Sequence, residues 1–189
     1  MRFRLGNCRA ALGYEAIAAL TAVLVLDRGN RIVLCILAAL LHELGHLLMM
    51  LCCGVRVRGV SLRLFDVRIE ADSPRSFADD IRITSAGPAA NLLLAALFLP
   101  AGAFFGWANL ALGCFNLLPV VSLDGGRLLY LILRRRWDAR ICDRVLMTAS
   151  FLFLLPLMTA GIYTLLQSGY NYSLLIVSLY LTAVLFLKQ

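Results

Sequence analysis

The stretch Leu41-His42-Glu43-Leu44-Gly45-His46-Leu47 decides the fold of this chain, because it places three ionisable side chains inside a long apolar segment. Residues 32–41 before it are all apolar, and Leu48-Met49-Met50-Leu51 continues the apolar run after it. His42 and His46 are also the only two histidines in the chain. Such side chains are costly inside a bilayer unless a metal or a partner compensates them. The stretch therefore predicts a membrane-spanning helix that carries a functional site.

The composition extends this prediction to the whole chain of 189 residues. Apolar residues make up 61% of it and the mean hydropathy is +0.85, whereas soluble domains are roughly half apolar. A helix needs about 20 apolar residues to cross the hydrocarbon core. We expect an all-α polytopic membrane protein with six transmembrane helices, forming a single domain over residues 1–189. The expected spans are residues 12–26, 32–53, 83–105, 107–123, 145–166 and 172–187.

The distribution of charge indicates how these spans are oriented. The net charge is +7, and all but one of the 18 basic residues are arginine. Nucleic-acid binding is one common reason for a basic chain, but these residues lie in the loops between the apolar spans. With six spans, every basic residue except Arg28 and Arg31 falls on one side of the membrane. The positive-inside rule then places both termini in the cytoplasm, with the lipid bilayer and not nucleic acid as the partner.

Two polar segments each allow two interpretations. The stretch from Gly54 to Asp80, between the second and third spans, alternates with a period of two and predicts a small cytoplasmic β-hairpin or sheet. It is either an amphipathic linker on the membrane surface or an open strand edge that pairs with an extended peptide. The basic loop from Arg134 to Arg140 is either a topology determinant that attracts anionic headgroups or a docking patch for an acidic partner.

The histidine motif has the form His-Glu-x-x-His, which on a helix supplies two zinc ligands and a general base. His42 and His46 are four residues apart and therefore point to the same side of a helix. We expect them to bind one Zn²⁺ per chain. Glu43 lies next to this face, where its carboxylate can take a proton from water.

A catalytic zinc site usually has three protein ligands, so a third donor is expected in another span. Glu15, Asp27 and Asp124 are the carboxylates in or next to apolar segments. Asp124 is favoured because residues that interrupt a helix surround it, namely Asn116, Pro119, Gly125 and Gly126. Broken backbone at membrane depth is tolerated where it is buried in protein or lines a cavity. Asp124 at such a break can turn toward the metal.

These motifs resemble the site-2 protease family of intramembrane zinc metalloproteases, in particular its small bacterial sporulation-type branch. That family carries His-Glu-x-x-His in one span and Asn-x-x-Pro-x-x-x-x-Asp-Gly in a later one. This chain has the first at 42–46 and the second at 116–125. The family element Gly-Pro-x-x-Asn is matched at 87–91, and Gly54-Val55-Arg56-Val57 is similar to the family's sheet segment. The resemblance covers about residues 32–130.

The resemblance implies an endopeptidase that cuts membrane-spanning segments of substrate proteins near the cytoplasmic face, in a bacterial cell membrane. It implies His42, His46 and Asp124 as metal ligands, Glu43 as the catalytic base, and Asn116 close to the substrate. These 189 residues leave no room for the PDZ or CBS domains of some members. The resemblance leaves open whether a regulatory membrane protein binds the chain. The alternative is a non-proteolytic zinc-binding membrane protein, a transporter or inactive scaffold. The pair Gly87-Pro88 either begins a helix or packs beside the site.

Overall fold

The computed structural model describes residues 2–5, 8–12, 29–63, 66–74, 76–169 and 172–187. It divides into two compact units, Met1–Phe115 and Asn116–Gln189. Within the described part, three helices are long and apolar enough to cross a membrane: Arg31–Cys52, Phe77–Ala101 and Ala139–Ser168. The protein is mostly helical, and these apolar helices fit a membrane-embedded chain. The predicted span 12–26 lies outside the described residues except for Leu12.

Helix α1 (Arg31–Cys52) carries the histidine motif, and its 22 residues extend over about 33 Å. Ala38, His42 and His46 are buried along one stripe with a spacing of four residues. The opposite face presents leucines, of which Leu48 is 53% exposed. The polar side chains therefore point into the protein while the apolar ones point outward. This arrangement suits a helix surrounded by lipid, where an ionisable side chain must face the protein interior.

Helix α2 (Phe77–Phe98) packs against α1 in the first unit. It begins at Ser76, whose hydroxyl accepts a hydrogen bond from the backbone N–H of Asp79 at 3.1 Å. Small residues allow the two helices to approach closely: a Cβ on Gly45 of α1 would lie 2.8 Å from the carbonyl oxygen of Ala86. Gly87-Pro88 lies inside α2. Of the two interpretations of this pair, the structure therefore excludes a helix start, and the pair packs beside the histidines.

The remaining described part of the first unit contains a sheet and a short helix. The strands β1 (Arg2–Leu5), β2 (Cys8–Leu12), β3 (Val57–Arg63) and β4 (Asp66–Ala71) form one sheet in that order. The pairs β1–β2 and β3–β4 are antiparallel, whereas β2 and β3 are parallel. The segment predicted as a hairpin thus contributes two strands of a four-stranded sheet. After a 3₁₀ turn at Leu99–Ala101, helix α3 runs over Phe104–Asn116.

The second unit contains three helices: α4 (Asp124–Arg134), α5 (Ala139–Ser168) and α6 (Ser173–Leu187). Both α4 and α6 pack against α5. The segment 107–123, expected as one span, is not one helix. Helix α3 ends at Asn116, residues 117–123 are not helical, and α4 begins at Asp124. The interruption has a physical cause, because Pro119 cannot donate a backbone hydrogen bond to a continuing helix.

Candidate metal centre

His42 and His46 converge within the first unit. Their Nε2 atoms lie 3.2 Å apart, and their rings meet edge to face at a centroid distance of 4.8 Å. Both side chains are buried, with exposures of 6% and 9%. In the structure both imidazoles lie on one inward face of α1, as the spacing of the two histidines predicts.

The backbone of α2 orients one of these imidazoles. The Nδ1 atom of His46 lies 2.7 Å from the carbonyl oxygen of Ile83. Since a carbonyl only accepts, Nδ1 must be the protonated donor, and the lone pair of the neutral ring then lies on Nε2. A metal-binding histidine usually donates the N–H of its other ring nitrogen to a nearby acceptor, and this hydrogen bond sets its tautomer. Sequence reasoning could not find Ile83, because its contribution comes from the main chain.

Gly87 provides the space in which the two rings meet. A Cβ at this position would collide with Nε2 of His46 and would lie 2.8 Å from Cε1 of His42. Pro88 follows directly inside α2 and cannot donate a backbone N–H to the carbonyl of Thr84. Helix α2 is therefore adapted to the imidazoles at two points, through its main chain at Ile83 and through the missing side chain at Gly87.

Glu43 and Asn116 are two further residues for which the sequence predicts a chemical role. Glu43 lies on α1 directly after His42 and is half-buried. Asn116 is the last residue of α3, also half-buried, at the point where the helix stops.

Asp124 is the first residue of α4 in the second unit and is half-buried. The preceding residues 117–123 fold back closely over the start of α4, and this packing restrains the main chain of Asp124. A Cβ on Gly125 would collide with the carbonyl of Leu117, and one on Gly126 would collide with the carbonyl of Val120. The Gly125-Gly126 pair is required for this close approach, because a side chain at either glycine would force the segment away from the start of α4.

Ser150 is a buried residue in this region that sequence reasoning missed. Its hydroxyl on α5 accepts a hydrogen bond from the backbone N–H of Val121 at 3.0 Å and donates one to the carbonyl of Leu146 at 2.8 Å. Ser150 thereby ties the non-helical segment 117–123 to a long helix. Nothing in the sequence distinguishes it from the other serines and threonines of the apolar helices.

The histidine pair fits a zinc ion. Two Zn–N bonds of about 2.0–2.1 Å at a tetrahedral angle place the nitrogens roughly 3.3 Å apart. The 3.2 Å between the two Nε2 atoms is close to that separation. Neutral imidazole nitrogen is also a donor that zinc prefers. The site thus supplies two preorganised ligands, and zinc would need at least one more from the protein.

Comparison with known proteins gives consistent results. Residues 98–157 match the pattern of peptidase family M50. An alignment of 133 positions is 37% identical to Rip3 of Mycobacterium tuberculosis and covers 59% of this chain and 33% of Rip3. An alignment of 134 positions is 30% identical to stage IV sporulation protein FB of Bacillus subtilis and covers 65% of this chain and 46% of that protein. An alignment of 119 positions is 29% identical to zinc metalloprotease MJ0392 of Methanocaldococcus jannaschii and covers 56% of this chain and 34% of that protein. The matched stretches thus span less than half the length of these relatives.

The fold also has a solved counterpart. The site-2 protease from Methanocaldococcus jannaschii superposes with a TM-score of 0.67 at 22% identity, covering 96% of this chain and 91% of that one. The apolar helices fit a membrane-embedded protein, and the histidine pair could hold a metal ion. Residues 98–157 therefore carry the pattern of peptidase family M50, and the chain is similar in sequence to zinc metalloproteases and in fold to a site-2 protease. Zn²⁺ is the metal that this family implies.

Proposed function

We propose that this chain is an intramembrane zinc endopeptidase, which cuts membrane-spanning segments of substrate proteins near the cytoplasmic face. The observation that carries the proposal is the pair of imidazole nitrogens 3.2 Å apart, buried within a helix of membrane-spanning length. The names of the relatives support the same chemistry, since one of them is a zinc metalloprotease. A metal site within a membrane-spanning helix can hydrolyse peptide bonds that soluble proteases do not reach.

His42, His46 and Asp124 hold the zinc ion in this proposal. Three protein ligands and one open position are the usual composition of a catalytic zinc site. The close packing at Gly125 and Gly126 supports the choice of Asp124, because it restrains the main chain on which the carboxylate stands. A bound zinc ion would polarise the scissile carbonyl and lower the pKa of water.

Glu43 transfers the proton of the attacking water in the proposed reaction. Its carboxylate takes a proton from the attacking water and then donates it to the nitrogen of the leaving amine. The position directly after His42 supports this role, because the base and the two histidines then lie on one helix, α1.

Asn116 holds the substrate in an extended form. A peptide bond in a helix is shielded and its carbonyl is already hydrogen-bonded, so the substrate must unwind locally before cleavage. The amide of Asn116 both donates and accepts, which suits an extended backbone. Its location where α3 ends supports this role. The edge strands β1 and β4 offer a second place for strand pairing, and a regulatory membrane protein would compete for the same surfaces.

The arrangement in the membrane follows from the charges. We propose six spans in a bacterial cell membrane, both termini in the cytoplasm, and residues 1–189 acting as one protease core. The support is that sixteen of the 18 basic residues, all except Arg28 and Arg31, then lie on the cytoplasmic side.

The substitution Glu43→Gln tests the mechanism. It preserves the size of the side chain but removes the group that accepts the proton, so zinc should stay bound while cleavage falls at least 100-fold. Wild-type and variant chains are produced in the native membrane. Zinc is measured by mass spectrometry of the purified protein, and cleavage by new amino termini inside the spans of membrane proteins. The matched control is Asp143→Asn, which makes the same carboxylate-to-amide change at an exposed position of α5 and should leave both measurements unaltered.

Full cleavage by the Glu43→Gln variant would refute the mechanism. Zinc uptake into proteoliposomes by a wild-type chain that produces no new amino termini would support a transporter instead.

A further inference from the structure

The turn between α4 and α5 contains a surface cavity of about 620 Å³. Its walls are formed by five consecutive or nearly consecutive residues: Ile132, Leu133, Arg135, Arg136 and Trp137. Protein sites for small ligands usually measure roughly 300–1,000 Å³. The cavity lies wholly within the second unit and includes none of the residues of the proposed metal centre.

The walls combine two arginines with apolar side chains. A guanidinium group presents a planar set of donors that matches phosphate geometry. Trp137 is 48% exposed and Ile132 is 55% exposed, so both present apolar surface beside the two arginines. Tryptophan is enriched where one part of a site is apolar and another is wet, as at membrane interfaces. The cavity is therefore suited to an amphiphile with an anionic head.

The surrounding charge favours an anion. Residues 134–144 carry five arginines against two aspartates, a net charge of +3. The arginines are Arg134, Arg135, Arg136, Arg140 and Arg144, and the aspartates are Asp138 and Asp143. Juxtamembrane clusters of this kind attract anionic lipids.

The position along α5 places the cavity at the level of the lipid headgroups. Helix α5 has 30 residues, about 45 Å, which exceeds the hydrocarbon thickness of about 30 Å. All its charged residues lie among the first six, 139–144, and residues 145–168 carry none. The uncharged part is long enough to cross the bilayer by itself. The first turns of α5, and the turn before them, therefore lie beside the headgroups.

We propose that this cavity binds one anionic phospholipid. Arg135 and Arg136 contact its phosphate, while Ile132, Leu133 and Trp137 contact the glycerol backbone and the upper acyl chain. An acidic peptide would satisfy the arginines but would leave the apolar walls without a partner, which is why the lipid is the better fit. The cavity includes none of the proposed catalytic residues, although Ile132 and Leu133 share helix α4 with Asp124, and the proposal stands independently of the proteolytic function.

Native mass spectrometry of the purified full-length, zinc-loaded chain in nonionic detergent tests the proposal. Phosphatidylglycerol is titrated in, and the number and affinity of retained lipids are measured, with phosphatidylcholine in parallel. We expect one retained phosphatidylglycerol per chain and no comparable retention of phosphatidylcholine. The double variant Arg135→Gln/Arg136→Gln should bind about 10- to 30-fold more weakly. The matched control Arg140→Gln/Arg144→Gln removes the same charge outside the cavity and should weaken binding less than about 3-fold.

The proposal is overturned if the Arg135→Gln/Arg136→Gln variant binds phosphatidylglycerol like wild type, or if the control variant loses as much affinity. Equal retention of phosphatidylcholine would also overturn it. Glycerol phosphate binding as tightly as the whole lipid would indicate a free phosphate site, and displacement by hexaglutamate at equal concentration would indicate an acidic peptide. Should the double variant fail to fold by circular dichroism, Trp137→Ala replaces it. That change should weaken retention at least 3-fold, and an unaltered affinity would contradict the proposal.

Discussion

At the scale of single residues, the geometry of the candidate metal centre depends on an absent side chain as well as on a hydrogen bond. Gly87 leaves space on α2 where any side chain would meet the imidazole of His46, and the Ile83 carbonyl holds Nδ1 of that imidazole at 2.7 Å. The two contacts are one turn apart on the same helix. One residue limits how the rings approach each other, while the other determines which nitrogen carries the lone pair.

The substitution Gly87→Ala should lower the affinity for zinc by about 10-fold or more. Overpacking of a close contact costs about 1–3 kcal/mol, and here the strain falls directly on the nitrogen that would bind the metal. The affinity is measured by competition with a chromogenic chelator. The control Ala89→Leu adds more volume on the exposed face of α2 and should leave the zinc affinity unchanged. Wild-type affinity in the Gly87→Ala variant would show that α2 yields at this point and that Gly87 does not position the rings.

At the scale of elements, the segment 117–123 joins α3 to α4 without regular structure. It is held by the close approach of its carbonyls to Gly125 and Gly126 and by the bond from Val121 to Ser150. A non-helical segment in an apolar protein needs such partners, because a buried backbone group without a hydrogen bond is costly. Ser150 therefore supports the segment that leads to Asp124.

The substitution Ser150→Ala should destabilise the protein by about 1–3 kcal/mol, since it leaves the N–H of Val121 without its acceptor. The free energy of unfolding is measured in mixed detergent micelles. Thr148→Ala provides the matched control, because Thr148 makes the same bond to its own helix, to the carbonyl of Arg144 at 2.9 Å, but is exposed. Equal losses in the two variants would mean that Ser150 contributes only through its own helix.

The strands and helices differ in how well the local sequence pattern predicts them. The hairpin β3–β4 was predictable because the alternation of residues 55–70 is local. The strands β1 and β2 were not predicted, since the parallel pairing of β2 with β3 joins residues about 50 positions apart. Asn116 and Pro119 indicated an interruption, but the pattern alone could not establish that α3 ends at Asn116 and that a new helix begins at Asp124.

At the scale of the whole molecule, the proposed orientation can be tested at the two ends of α1. Asn30 precedes the helix and Cys53 follows it, so the two lie on opposite sides if α1 crosses the membrane. Desolvation by burial, together with the neighbouring Asp79 carboxylate, raises the pKa of the Cys53 thiol above its ordinary value. Its reactive thiolate is therefore scarce at neutral pH and increases as the pH rises toward that raised pKa.

A membrane-impermeant maleimide should label Asn30→Cys in intact cells, and should label Cys53 only in inverted vesicles. Each cysteine is studied alone, with every other cysteine replaced by alanine. Labelling is carried out at about pH 8.5 as well as pH 7, because slow labelling of Cys53 at pH 7 follows from its raised pKa and not from its location. Rapid labelling of Cys53 in intact cells at the higher pH would reverse the proposed orientation.

The sequence by itself determined the apolar, membrane-type character of the chain and the shared face of the histidine pair, because these depend on local spacing and on the hydrophobicity of single segments. His42 and His46 share a face of any helix that contains them, whatever that helix packs against. The tertiary structure alone decided which backbone carbonyl orients His46, why position 87 must lack a side chain, and how Ser150 supports the broken segment. Those features arise where residues distant in sequence come into contact, and no local pattern encodes such contacts.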